Sequence, residues 1–307
     1  MTTQKTTVIH HSADFDGIFC REIARKFLPN AELIGWDYGN PKLPFPEGQV
    51  YVLDLSPECF DMSYSDECNS RLIWIDHHKS AIDRFWSSIP GYRIDGVAAC
   101  RLAWHWFSCQ PEWKSPDTLA RKQDFVERIV EEPWAVRLAG EYDIWDKRDP
   151  NAELFQHGLR SQNLNAIWGI ILQEPTPAMG EKRGLDELTV EALLDQGRCL
   201  QFAKTNENET IIKRQGFTFE WEGLTWLACN HASFNSHLFT AGIKPEHDAL
   251  FGFRFDGKWF SVSLYHAPGK EHHDLSILAV KNGGGGHRGA CGFRAKELPF
   301  ARQADDV

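Results

Sequence analysis

The chain has 307 residues, with 33 Lys and Arg against 43 Asp and Glu and a formal net charge of −10. That length suffices for two domains with their own cores, and 42% hydrophobic residues argues against wholesale disorder. The acidic balance argues against a surface built to grip long duplex nucleic acid, which needs clustered Lys and Arg. It leaves room for a small anionic substrate held by a local cation.

The polar start, Met1 to Thr7, leads straight into a strand-like run and carries no secretory pattern. No apolar run approaches the roughly 18–20 residues of a membrane span, so no membrane partner is expected. The eight cysteines include no C-x-x-C pair. The nine-residue spacing of Cys59/Cys68 and Cys100/Cys109 matches no usual zinc pattern. The expected location is cytoplasmic, with reduced thiols.

In chain order, residues 6–11 predict a first strand, followed by a turn from Asp14 to Gly17. Ile18, Phe19, Ile23 and Phe27 carry helical spacing. Residues 32–36 predict a second strand, and three prolines between Pro41 and Gly48 a loop. Residues 50–55 predict a third strand, 58–64 a helix and 72–75 a fourth strand. Helices are predicted over 96–108, 117–140 and 160–173. The cluster Pro175, Pro177, Gly180 and Gly184 marks a domain boundary, and 185–214 a long connecting helix. Beyond Gly216, two hairpins are predicted, 217–228 and 251–265, the second turning at Asp256-Gly257. A helix is expected over 233–241 and a short one over 276–280.

The order β-α-β-loop-β-α-β predicts an α/β fold: a mostly parallel sheet with helices on its faces. A helical linker then joins a smaller α+β domain. The expected domains are 1–180, a linker over 181–215, and 216–307.

Ligands of such sheets collect outside the carboxyl ends of the strands. His10, Asp14, Asp16, Asp54, Asp76, His77 and His78 all fall at or just after predicted strand ends. Asp14 and Asp16, two apart, can serve adjacent metals, with Asp54 bridging. His10 and His77 supply nitrogen, and Asp143 a further oxygen. Adjacent strand residues point opposite ways, so only one of His10 and His11 faces the site, and His10 is the expected one. Mixed Asp/His ligation suits Mn²⁺ best, with Mg²⁺, Zn²⁺ or Fe²⁺ also compatible. Taken singly, D-x-D-G is a common turn, Asp54 a possible helix cap, and a histidine more often structural than ligating. It is the convergence at strand ends that points to metal.

A second motif runs from Asn282 through Gly283-Gly284-Gly285-Gly286 to His287-Arg288 and Gly292. Consecutive glycines expose backbone N–H groups to a phosphate, and His287 and Arg288 add charge-assisted donors. A flexible linker is the plain alternative. The segment lacks the Lys-Ser/Thr of a P-loop and opens no Rossmann unit.

Together these motifs resemble the DHH phosphoesterase family with its DHH-associated C-terminal domain. That family includes RecJ-like nucleases, oligoribonucleases and cyclic-dinucleotide phosphodiesterases. His10-x-x-x-Asp14-x-Asp16 resembles its first motif, Val52-Leu53-Asp54 the second, Asp76-His77-His78 the third and Tyr142-Asp143 the fourth. Gly283 to His287 with Ala290-x-Gly292 resembles the substrate-binding motif of the associated domain. The first motif departs in having Ser12-Ala13 where Asn-Pro is frequent, and no Thr-Asp-Thr-Gly follows Asp143.

The resemblance implies two Mn²⁺ ions, one held by His10, Asp14 and Asp54, the other by Asp16, Asp54, His77 and Asp143. It implies a hydroxide activated between them that attacks phosphorus, with His78 assisting near the leaving group and Asp76 orienting its neighbours. Gly284, Gly285, Gly286, His287 and Arg288 would bind the substrate's phosphate or terminal nucleotide. The expected function is hydrolysis of phosphodiester bonds in short oligonucleotides or small nucleotides, cyclic dinucleotides included. The alternatives are a phosphoanhydride hydrolase of nucleoside di- or polyphosphates and a non-catalytic nucleotide-sensing module. A homodimer is left open.

Overall fold

The computed structural model describes residues 5–61, 70–85, 89–108, 118–146, 148–173 and 185–300. The chain divides into two compact units, Met1–Leu200 and Gln201–Val307.

The first unit begins with β1 (Thr6–His11), α1 (Phe15–Phe27), β2 (Glu32–Trp36), β3 (Gln49–Leu53), β4 (Leu72–Ile75) and α2 (Lys79–Arg84). The four strands form a wholly parallel sheet in the order β2-β1-β3-β4. Both of its faces are covered, which is why the strands read as near-continuous apolar runs. Val8, Leu53 and Ile75 join the core that includes Phe19 and Ile23 of α1. Ile9, Val52 and Trp74 face a second core with Trp36 and Phe60. Because all strands run one way, residues 11, 54 and 76 leave the sheet at one edge.

Next come α3 (Ala99–Ser108), α4 (Thr118–Val126), α5 (Trp134–Asp143), α6 (Asn151–Arg160), α7 (Trp168–Ile171) and α8 (Leu185–Gln215). Two expectations are corrected here. The helix expected over 117–140 is broken between α4 and α5. Pro133 serves as N-cap of α5, since a proline inside a helix removes a hydrogen bond and clashes with the preceding turn. Buried Arg101 ties the break together, pairing with Glu132 at 2.6 Å and donating to the Phe125 carbonyl at 3.1 Å. The helix expected over 160–173 is instead α6, ending at Arg160, then a 3-10 turn at Leu164–Ala166 and the single turn of α7. The segment expected as a 58–64 helix holds a 3-10 turn at Pro57–Cys59. Its residues 62–64 lie outside the described residues, as does the whole 175–184 boundary segment.

The second unit carries β5 (Phe217–Trp221), β6 (Leu224–Asn230), β7 (Ala249–Phe255), β8 (Phe260–His266), α9 (Leu275–Lys281), β9 (Gly285–His287) and β10 (Ala290–Ala295). They form a mixed sheet in the order β5-β6-β7-β8-β10-β9. The β5–β6 hairpin turns through Glu222 and Gly223, both at positive φ (52° and 75°), the two-residue turn whose twist suits a hairpin. The segment expected as a 233–241 helix is a 3-10 run, Ser236–Gly242. Leu275 and Ala279 of α9 pack with Trp226, Phe251 and Leu264. No helix among the described residues is long and apolar enough to cross a membrane.

Candidate metal centre

At the carboxyl edge of the parallel sheet, three overlapping donor groups lie close enough to hold a cation: His11, Asp14 and Asp54; Asp16, His77 and Asp143; and Asp54, His77 and His78. Within each group the ligating atoms lie within 4.8 Å of one another. Asp54, common to two groups, is 1% exposed. Its backbone is in the left-handed region, at φ 59°, a strained conformation for a non-glycine residue and one found at functional sites. Its Oδ1 lies 3.4 Å from Nε2 of His77 and its Oδ2 lies 3.4 Å from Nδ1 of His11. Neither oxygen is aligned for a hydrogen bond with any described residue.

Each donor is fixed by its element. Asp14 is the N-cap of α1 and accepts from the Gly17 N–H at 3.1 Å. Asp16, in the first turn of α1 and 2% exposed, accepts the Ala99 and Cys100 amides at the N-terminus of α3, both at 2.8 Å. That helix end stabilises an anion by its free N–H groups and dipole. His77 follows β4, and its Nε2 stands 3.6 Å from Asp16 and 3.4 Å from Asp143. Asp143 is the last residue of α5. Asp76 is fully buried, and its Oδ1 accepts the His77 and His78 amides at 2.7 and 3.2 Å and meets His78 Nδ1 at 2.8 Å.

Burial and the Asp54 carboxylate push Asp16 up from the ordinary range, and burial with Asp16 pushes Asp143 up to about 7. Burial pulls the His77 ring down, but the carboxylates of Asp54, Asp16 and Asp143 outweigh it and raise it to about 10. Asp14 and Asp54 raise His11 to about 11. Burial pushes Asp14 up, yet His11 and the Gly17 N–H hold it below the usual carboxylate range. The Asp76 carboxylate raises His78. Protons thus offset crowded carboxylates where a cation would do the same.

His10 is not brought into the cluster. Strand alternation puts it on the α1 face with Val8, and puts His11 with Ile9 on the other. His10 is 2% exposed, and its Nδ1 lies 2.7 Å from the His11 carbonyl. Burial holds its ring below the ordinary histidine range. His11, not His10, is therefore the β1 histidine that stands in the cluster. Asp14, Asp16, Asp54, His77, His78 and Asp143 do converge.

In the second unit, β9 is the edge strand, and Gly284 to Arg288 are exposed. The Gly283 and Gly284 amides are committed to carbonyls of α9, those of Val280 and Ala279, at 3.0 and 2.8 Å, so fewer N–H groups are free for a phosphate than four glycines suggest. A Cβ on Gly284 would meet the Gly292 carbonyl at 2.0 Å, whereas one on Gly285 would meet open space. Arg288 donates to the His272 carbonyl at 2.8 Å.

No family model matches this chain, and no curated protein matches it. Solved structures align over nearly its whole length. A pGpG-specific phosphodiesterase from Vibrio cholerae is 14% identical, with 98% of this chain and 96% of that chain covered and a TM-score of 0.48. A DHH domain from a member of the s1p family of ribosomal proteins is 13% identical, covering 99% and 87%, with a TM-score of 0.46. Exonuclease RecJ bound to manganese is 13% identical, covering 98% and 89%, with a TM-score of 0.44. DHH-domain proteins are thus among the solved structures this chain resembles. Likeness at this level carries no argument about chemistry, which rests on the geometry of the site.

Proposed function

We propose that the chain is a divalent-metal-dependent phosphohydrolase. Its substrates are phosphodiesters of short oligonucleotides or small nucleotides, cyclic dinucleotides included. The observation that carries this reading is Asp54. A buried carboxylate with no aligned hydrogen bond to either oxygen is costly, and here it belongs to two of the three donor groups. Its oxygens, the neighbouring carboxylates and the imidazoles form a mixed oxygen and nitrogen set that fits Mn²⁺.

In this reading His11, Asp14 and Asp54 would hold one ion, and Asp16, Asp54, His77 and Asp143 would hold the other. Such a pair supplies Lewis acidity at a phosphoryl oxygen and an acidified water. The chain's own groups do the rest. Asp76 fixes the His78 ring through Nδ1, which leaves Nε2 to give a proton to the departing oxygen. The raised affinity of His78 for its proton suits that role. His287, Arg288 and the glycines 284–286 bind a substrate phosphate, with residues 216–307 as the substrate-binding domain.

The test is product release from dinucleotides, cyclic dinucleotides and nucleoside polyphosphates, with Mn²⁺ and after chelation. Release that needs Mn²⁺ and disappears in Asp54→Asn is expected. Equal, slow release by both proteins would sink the proposal. Release of orthophosphate from polyphosphates alone would move it to phosphoanhydride hydrolysis. Nucleotide binding without bound metal or turnover would make the chain a sensor.

A further inference from the structure

A cavity of about 230 Å³ adjoins the metal cluster, lined by Asp14, Asp16, Tyr142, Asp143, Gln156 and Arg160 among others. Two of its lining residues, Gln156 and Arg160, come from α6. Gln156 and Arg160 are four residues apart on that helix and share a face. Gln156 is 1% exposed, and its carboxamide oxygen is buried with no hydrogen-bond partner among the described residues. Arg160 stands 6.0 Å from the Phe15 ring centroid and 5.9 Å from that of Tyr142, and it pairs with no carboxylate among the described residues.

A buried acceptor without a donor costs stability that an apolar side chain of the same size would not. Such a group persists where a ligand completes it. Here the residue that carries the unsatisfied acceptor and one that carries an uncommitted donor line the same cavity. A hydroxyl is the simplest group that satisfies both, since it donates one hydrogen bond and accepts others. It also satisfies the carboxamide whichever edge is presented. Asp14, Asp16 and Asp143 of the donor groups line the cavity, so a ligand in it would lie beside a phosphate bound at the cluster. The nearest donors to a phosphodiester are sugar hydroxyls, whereas base N–H groups lie a full sugar away.

We infer that Gln156 and Arg160 read a sugar hydroxyl next to the scissile phosphate, making the site selective for ribonucleotides. The inference rests on the phosphohydrolase reading and names the substrate class within it. The 2′-hydroxyl is the group that separates RNA from DNA. A site built to hydrogen-bond a hydroxyl discriminates strongly against an analogue lacking it, because its own polar groups are then left unpaired.

The experiment compares kcat and KM of the Mn²⁺-loaded protein for a ribodinucleotide and its 2′-deoxy analogue, in wild type, Gln156→Met, Arg160→Ala and Arg160→Lys. Wild type should prefer the ribodinucleotide by at least about tenfold. Gln156→Met should erase most of that preference by slowing the ribodinucleotide, while its melting temperature holds or rises. A merely structural glutamine would not show that combination. Arg160→Ala should lose part of the preference, and Arg160→Lys should recover some of it. Arg160 is exposed, so its variants keep the test intact if Gln156→Met does not fold. Equal rates on both sugars in wild type overturn the inference, as does an equal loss on both in the variants. If wild type cleaves neither, the phosphohydrolase reading fails and equilibrium binding of the two dinucleotides decides. A ribo preference removed in Gln156→Met or Arg160→Ala supports the subsite, and equal binding overturns it.

Discussion

At the carboxyl edge of the parallel sheet the candidate groups are side chains that range from buried Asp16 and Asp54 to exposed Asp14, each tied to a strand end or a helix terminus. At β9 and the glycines before it they are exposed, and the backbone itself is much of the motif. The first region concentrates charge and leaves both Asp54 oxygens without an aligned hydrogen bond, beside the rings of His11 and His77. The second commits two of its amides to α9 and leaves open space at Gly285. On the proposed function the contrast separates two jobs. A cation needs fixed, desolvated donors, whereas a substrate phosphate needs an approachable surface. Variants in the two regions should therefore fail differently.

The largest effect is expected at Asp54. Asp54→Asn should lower kcat by about a thousandfold, in line with losing an electrostatic group at a reacting centre, and should abolish retention of Mn²⁺ through gel filtration. Its melting temperature in chelator should hold or rise, because a neutral amide relieves the carboxylate crowding. An active, metal-retaining Asp54→Asn would erase the distinction between the regions.

Next, His11→Ala and His10→Ala should diverge. His11→Ala should weaken Mn²⁺ binding by roughly ten- to a hundredfold in an isothermal titration. His10→Ala should leave Mn²⁺ affinity within about threefold and cost stability by emptying a buried position on the α1 face. The reverse pattern would return the ligand role to His10.

In the second region, His287→Ala should raise KM for a dinucleotide by roughly tenfold, as lost uniform binding does, with Mn²⁺ affinity unchanged. A fall in Mn²⁺ affinity would break the division of labour.

The smallest effect is a pH dependence. In the folded protein Asp143 is raised from 3.8 to about 7 and His77 from 6.5 to about 10. Both pKa values are raised, so the stability they contribute is complete below the unfolded values and is lost as pH rises. For Asp143 the loss runs from about 3.8 to about 7, and for His77 from 6.5 to about 10. A cation bound at the cluster would replace those protons. The rise in melting temperature caused by Mn²⁺ should therefore grow from about pH 5 to about pH 8, as read by scanning fluorimetry. A rise that shrinks over that range would place the cation elsewhere.

The sheet was legible because a parallel sheet covered on both faces leaves apolar runs of strand length, and because Asp54 and Asp76-His77-His78 follow such runs directly. The choice between His10 and His11 was not legible: alternation says that they differ, while only packing against α1 says which is which. Pro133, directly after Glu131 and Glu132, is the visible break signal within 117–140. Gln156 and Arg160 escaped because α6 meets the cluster only through tertiary packing, and no local spacing announces that meeting. The amides of Ala99 and Cys100 carry no side-chain signal at all.

Those two amides make Asp16 audible from outside the site. Their hydrogens are bonded to a carboxylate in the donor cluster, so their resonances in an amide correlation spectrum report on its charge. Titration with diamagnetic Mg²⁺ should move Ala99 and Cys100 together, along a path that saturates with the ion, before any substrate is present.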